Sequence, residues 1–331
     1  MKQRLSIAAG LAVTALFLWL AVRNVQGAEL IEVLKAARWR WLLVMVPLFL
    51  VDLAIRALRW RILLSQAVPS EPQGRTGSLW LFFRLETIGL AVNNVLFARI
   101  GELARAALAA RELGIPVAVA LASVAIERAL DVAALLALFV IAGSGSPLVE
   151  PNVLHGAGVL LMGVLAALLV LVLAEKLLEP EGPVDRRLAR WPGPRKLVSQ
   201  LVLGASVLRR PSAVLPAAAL SVGLWLSDAS ICWAAARALG LGAVVDYPRS
   251  ILILSWAGAG SALPAAPGAI GTYEAMVKAI LVKMGASAHE AFAYAVFNHM
   301  TMYLFVTALG LGFLYKIGLS LGGLRQSLEK P

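Results

Sequence analysis

Apolar residues run through this chain in stretches long enough to cross a bilayer, and the polar positions that interrupt them are concentrated rather than scattered. Apolar runs lie near 5–22, 42–62, 115–142, 153–174, 213–240 and 288–315. Each approaches the ~20 residues an α-helix needs to span hydrocarbon, so six full transmembrane helices are expected. Two further segments, 79–112 and 249–284, start apolar, break in the middle and resume as a short amphipathic helix. The break at 264–268 reads Pro-Ala-Ala-Pro-Gly, which removes backbone donors and disfavours helical geometry before each proline. The break at 93–101 is gentler, with Asn93-Asn94 followed by Arg99 and Gly101. Two half-helices meeting at an irregular turn form a re-entrant hairpin, provided protein or a water-filled cavity covers the freed backbone. A kinked full span is the alternative for each. The predicted fold is all-α and polytopic, with about six full helices and two re-entrant hairpins.

The two broken segments align with one another. Leu96-Phe97 falls on Leu263-Pro264, Gly101 on Gly271, Glu102 near Glu274, Gly114 on Gly285, and Glu127-Arg128 on Asn298-His299. A duplicated, interrupted, polar unit in an apolar chain points to a transport site at a repeat interface.

Composition fixes the class. Sixty per cent of the residues are hydrophobic and mean hydropathy is +0.82, so this is an integral membrane protein. The single cysteine, Cys232, excludes an intramolecular disulfide framework. A net charge of +11 is explained by basic loops facing anionic headgroups; no nucleic-acid motif is present. Lys2 and Arg4 precede an apolar stretch longer than a secretory h-region, without a convincing Ala-x-Ala site, so an uncleaved first helix is expected. The stretch 175–211 carries eight Lys and Arg residues together with Pro and Gly. It is expected to be a cytoplasmic linker between an N-terminal half, 1–174, and a C-terminal half, 212–331. The loop 143–152 has no basic residue and fits the outside. Both termini then lie in the cytoplasm of a multi-pass inner-membrane protein. The hairpins enter from opposite sides, and the halves form inverted repeats. The segment 23–40 conflicts with this, facing outside despite Arg23, Lys35, Arg38 and Arg40.

An ionisable residue at membrane depth costs ~2.5–3.5 kcal/mol on insertion scales. Residues 84–131 nonetheless hold Arg84, Glu86, Arg99, Glu102, Arg105, Arg111, Glu112, Glu127, Arg128 and Asp131. Arg99 and Arg105 flank the first break, where a half-helix begins with free N–H groups, an arrangement suited to a phosphate. Glu127 and Asp131 are expected to hold those arginines when no ligand is bound. Snorkelling at the interface is the competing reading for Arg105, Arg111 and Glu112. The second copy offers Glu274, Asn298 and His299, with Ser227 and Asp228 on the preceding span. His155 and His289 have no partner at metal spacing, and no nucleophile elbow, phosphate loop or paired-His motif occurs. No metal, cofactor or catalytic residue is expected.

These same residues carry a resemblance. The block from Asn93 and Asn94 through Arg99, Gly101, Glu102 and Arg105 resembles the Asn-x-x-Leu-Pro-x-Arg-x-Gly-Glu pattern of the flippase-like family of the lysylphosphatidylglycerol synthetase transmembrane region. Glu127-Arg128-x-Leu-Asp131 is similar to its Glu-Arg-x-x-Asp segment. Leu263 to Glu274, with Pro267, Gly268 and Gly271, is similar to its Pro-Gly-Gly-x-Gly-x-x-Glu block. Phe97 and Ala269 depart from the usual proline and second glycine, which implies a less sharp first turn. The resemblance implies a polytopic inner-membrane protein that moves lipids between leaflets, aminoacylated phospholipids, glycolipid precursors and hopanoid-type lipids being the substrates it suggests. The sequence ends at Pro331 without a synthetase domain, so aminoacyl transfer is not expected. The expected partners are membrane lipids with an anionic or phosphate headgroup. Two rivals stay open: an embedded transferase or phosphatase acting on a lipid-linked phosphate, and a non-transporting partner of a lipid-synthesis enzyme.

Overall fold

A computed structural model of the protein describes residues 2–65, 77–96, 100–177, 200, 204, 206–263 and 266–318. Phe97, Arg99, Pro264 and most of the 175–211 linker lie outside the described residues. The longer helices are α1 (Lys2–Val22), α2 (Gly27–Lys35), α3 (Leu42–Ser65), α4 (Leu79–Val95), α5 (Ile100–Leu113) and α6 (Val117–Gly143). They continue as α7 (Pro151–Leu177), α8 (Pro211–Ala238), α9 (Tyr247–Ala262), α10 (Thr272–Lys283) and α11 (Ala288–Lys316). Short 3-10 turns join some of them, and the described residues contain no strand.

The breaks fall where the sequence placed them, between α4 and α5 and between α9 and α10. Among the described residues four helices, Trp39–Ser65, Pro151–Leu173, Pro211–Ala238 and Ala288–Lys316, are long and apolar enough to cross a membrane. A fifth is added if the α1–α2 pair, bent by 77°, is one span. At 27 residues, α6 extends roughly 40 Å at 1.5 Å per residue. It falls short on composition because Glu127, Arg128 and Asp131 sit near its middle.

At the centre α3 packs along α8. The two arms α4 and α5 pack on each other, as do α9 and α10, and α4 also lies along α11 while α9 lies along α6. One apolar cluster unites α8 to α11 with the start of α3, through residues such as Phe49, Ile253, Leu281 and Tyr294. A second unites α3 to α6 with the end of α11, through Trp60, Phe82, Ile88 and Phe313. The arms approach closely at small residues. A Cβ on Gly101 would lie 1.9 Å from the Gly89 carbonyl, and one on Gly260 would lie 2.7 Å from that of Thr272.

Helix starts are capped by sequence-local partners: Ser78 Oγ accepts from Leu81 N–H (3.2 Å) and Asp246 Oδ1 from Arg249 N–H (2.8 Å). Ser287 and Glu290 form a reciprocal capping box at α11.

One end of the bundle gathers residues 23–41, 144–150, 239–246 and 284–287. Lys278 Nζ donates to the carbonyls of Ala21 (2.8 Å) and Arg23 (2.6 Å), satisfying the C-terminus of α1. Arg38 N–H donates to Ala238 O at 2.7 Å, and Lys283 lies 4.0 Å from Glu150. Part of the charge in 23–40 is engaged locally, Arg23 over the Trp19 ring and Lys35 with Glu32.

Candidate functional site

The buried face of α6 presents Glu127 and Asp131, one turn apart. Arg59, fully enclosed on α3, reaches both: its NH2 donates to Glu127 Oε1 (2.8 Å) and Asp131 Oδ2 (3.2 Å). Its NH1 bonds Asp131 Oδ1 and donates to Ser221 Oγ on α8 at 2.9 Å. Arg105 on α5 meets Glu127 from the other side, donating to Oε2 and Oε1 at 3.2 Å each, and pairs with Glu86 on α4. Its guanidinium lies 4.6 Å from the centre of the Trp60 ring, a cation–π contact of the desolvated kind. Five helices thus converge on one carboxylate pair.

Arg128 closes the network at its open side. It lies 3.2 Å from Glu102, 3.4 Å from Asp131 and 3.6 Å from Glu127, and its side chain is 36% exposed. Arg59 and Arg105 are sealed, so among the described residues Arg128 is the exposed guanidinium of this network. One turn below Arg59 on the same face of α3, Arg56 holds Asp52 (2.8 Å) and, across the helix interface, Asp228 on α8 (3.3 Å).

The two breaks face each other. The turn Pro267–Ala269 packs on α4, and Tyr303 O–H donates to the Asn94 carbonyl at 2.9 Å. Asn94 Nδ2 donates to Thr307 Oγ1 at 2.9 Å, while Asn93 Oδ1 accepts from Gly101 N–H at 2.8 Å. Gly268, at φ +66°, sits where a Cβ would lie 2.4 Å from the Tyr303 ring, so its position requires glycine on both counts. Ala266 N–H is satisfied by Thr14 Oγ1 of α1 at 2.7 Å. Behind this turn, Glu274 Oε2 accepts from Gly271 N–H (2.6 Å) and Oε1 contacts His299 Nδ1 (2.6 Å). Tyr273 stacks on His299 at 4.1 Å. Asn298 Nδ2 donates to Tyr273 Oη at 2.7 Å and contacts Cys232 Sγ at 3.6 Å.

The residues singled out from sequence therefore fall into two groups. Glu102, Arg105, Glu127, Arg128 and Asp131 form one connected set, and Glu274, Asn298 and His299 form another beside Pro267, Gly268 and Gly271. Asn93 and Asn94 fasten the first break to α5 and α11. Arg105, at 2% exposure, does not snorkel, because Glu86 and Glu127 enclose it. Arg111 and Glu112 do lie exposed and pair with each other at 3.3 Å. Sequence reasoning missed Asp52, Arg56 and Arg59. Their spacing of four and then three places them on one helical face, a signal that the high mean apolarity of 42–62 concealed.

A family model described as the lysylphosphatidylglycerol synthase TM region matches residues 7–310. No curated protein and no solved structure matches the chain.

Proposed function

Because the chain belongs to the family of the lysylphosphatidylglycerol synthase transmembrane region, a multi-pass membrane family of lipid metabolism or translocation, we propose that it moves an anionic lipid between the leaflets of a bacterial inner membrane. The observation that carries this reading is Arg128. A half-exposed guanidinium, held by three carboxylates at the mouth of a sealed network, suits a phosphate headgroup that exchanges with those carboxylates. The lipid tails would stay in the bilayer while the headgroup passes between the facing breaks near Asn94 and Gly268.

Two related, inverted halves are part of the proposal. The contacts α3–α4, α4–α5, α5–α6 and α4–α11 have counterparts in α8–α9, α9–α10, α10–α11 and α9–α6. Both second arms end alike. Gly114 and Gly285 have positive φ, and Ile115 N–H bonds Ala110 O as Ala286 N–H bonds Leu281 O, each at 3.0 Å. A hairpin entering from each side would bring two breaks together at mid-membrane, and the contact of Tyr303 with Asn94 supports that. With the 175–211 linker in the cytoplasm, both termini would be cytoplasmic.

A second reading rests on the Glu274–His299 pair. A carboxylate-oriented imidazole is an arrangement for general base catalysis, which would make the protein an embedded transferase or phosphatase on a lipid-linked phosphate. Purified protein should move a tail-labelled phosphatidylglycerol across protein-only liposomes without turning over its headgroup. Headgroup turnover in detergent would instead establish the enzyme, and inactivity in both assays would favour a partner of a lipid-synthesis enzyme.

A further inference from the structure

Enclosed charges among the described residues do not balance. The enclosed carboxyl groups are Asp52, Glu86, Glu127, Asp131, Asp228 and Glu274, and the enclosed cations are Arg56, Arg59, Arg105 and Lys278. Adding half-exposed Arg128 still leaves one carboxyl more than the cations. A buried, uncompensated carboxylate is costly enough that it takes a proton instead.

Geometry localises that proton. Asp52 and Asp228 both lean on Arg56 through their Oδ2 atoms, at 2.8 and 3.3 Å. Asp52 Oδ1 is buried and has no hydrogen-bond partner among the described residues. Two carboxyls around one cation, with one oxygen unsatisfied, fit a shared proton.

We propose that Asp52 and Asp228 form a proton-binding pair whose loading and release couples lipid movement to a proton gradient, an inference that rests on the transport reading above. Near the pair lie Arg56 of α3, Asp131 of α6, Cys232 one turn along α8 and Tyr273 of α10, while Arg59 of α3 and Glu86 of α4 neighbour Arg56. Tyr247 of α9 bonds the Leu226 carbonyl on α8 nearby. Beyond Cys232, Asn298 bonds Tyr273, which stacks on His299, and His299 contacts Glu274 at the second break. Loss of the proton makes both aspartates compete for Arg56. Arg56 and Arg59 share one face of α3, so that rearrangement reaches Glu127 and Asp131, the groups that release or hold Arg128.

The test uses full-length protein in phosphatidylethanolamine–phosphatidylglycerol vesicles containing tail-labelled phosphatidylglycerol. With one proton per lipid, a gradient of one pH unit shifts the leaflet ratio by up to about tenfold. The wild type should show a shift whose direction reverses with the gradient. Asp52→Asn and Asp228→Asn should still move lipid but give the same ratio under either gradient. Infrared spectra of the wild type should also show a protonated carboxyl band that is lost on raising the pH and altered in each variant. A wild-type ratio indifferent to the gradient, or variants that keep the shift, would overturn the coupling. If the wild type moves no lipid the transport reading fails, and the infrared band then decides the proton site alone: its absence overturns it.

Discussion

At the scale of single residues, the decisive contrast is between sealed and open arginines. Arg59 is wholly enclosed by Glu127, Asp131 and Ser221, so removing it strands two carboxylates in low dielectric. Arg59→Ala should destabilise the detergent-solubilised protein by ~3–5 kcal/mol, read as a lower unfolding midpoint with loss of monodisperse protein. Arg128 is 36% exposed and its buried partners Glu127 and Asp131 retain Arg59 and Arg105, so Arg128→Ala should leave that midpoint nearly unchanged. Equal destabilisation by both variants would mean that Arg128 is a packing partner. The sequence made Arg128, Glu127 and Asp131 visible because charges stand out in an apolar run. It did not show which arginine would be left open, because that depends on α3 delivering Arg56 and Arg59 from more than sixty residues away. Arg99, prominent in the sequence, lies outside the described residues, so its place in the site rests on sequence alone.

At the scale of elements, both breaks were legible because local chemistry forces them. Proline cannot donate to the helix ladder at 267, and Asn93 turns its side chain to the Gly101 amide in the first turn of the next arm. Among the described residues α6 does not qualify as a full span on composition, since it carries three charges whose burial only the neighbouring helices make tolerable. The close approach of α4 and α5 is sterically exacting. Gly101→Leu should prevent the arms from closing, as its Cβ alone would sit 1.9 Å from the Gly89 carbonyl, and folded protein should be largely lost from membranes. Near wild-type yield and stability would show that the arms separate without cost. If α9 and α10 form a hairpin, their distal ends share a side. Arg249→Cys and Lys283→Cys, both at partly exposed positions, should then react with an impermeant thiol reagent from the same side in a Cys232→Ala background. Reaction from opposite sides would make 249–284 a kinked full span and remove the support for inverted halves.

At the scale of the whole molecule, the proposed orientation rests on loop charge, with the basic 175–211 linker inside and the 143–152 loop, which has no basic residue, outside. Ser146→Cys should label in intact cells and Arg111→Cys, at the exposed end of α5, only after lysis. Labelling of both from outside would overturn the topology. The family and the all-helical plan were readable because their motifs are local and ordered along the chain. The meeting of two breaks at Asn94 and Gly268 was not, because it joins residues more than a hundred and seventy positions apart. Lipid movement by the purified protein in phosphatidylethanolamine–phosphatidylglycerol liposomes, with Arg128→Ala and Arg128→Lys alongside the wild type, tests the central claim most directly. Wild-type protein should exchange tail-labelled phosphatidylglycerol between leaflets well above empty vesicles, Arg128→Ala should fall to that background, and Arg128→Lys should recover only part of the rate, keeping the charge but losing the bidentate fork. Exchange by wild-type protein no faster than in empty vesicles, or undiminished exchange by Arg128→Ala, would contradict it.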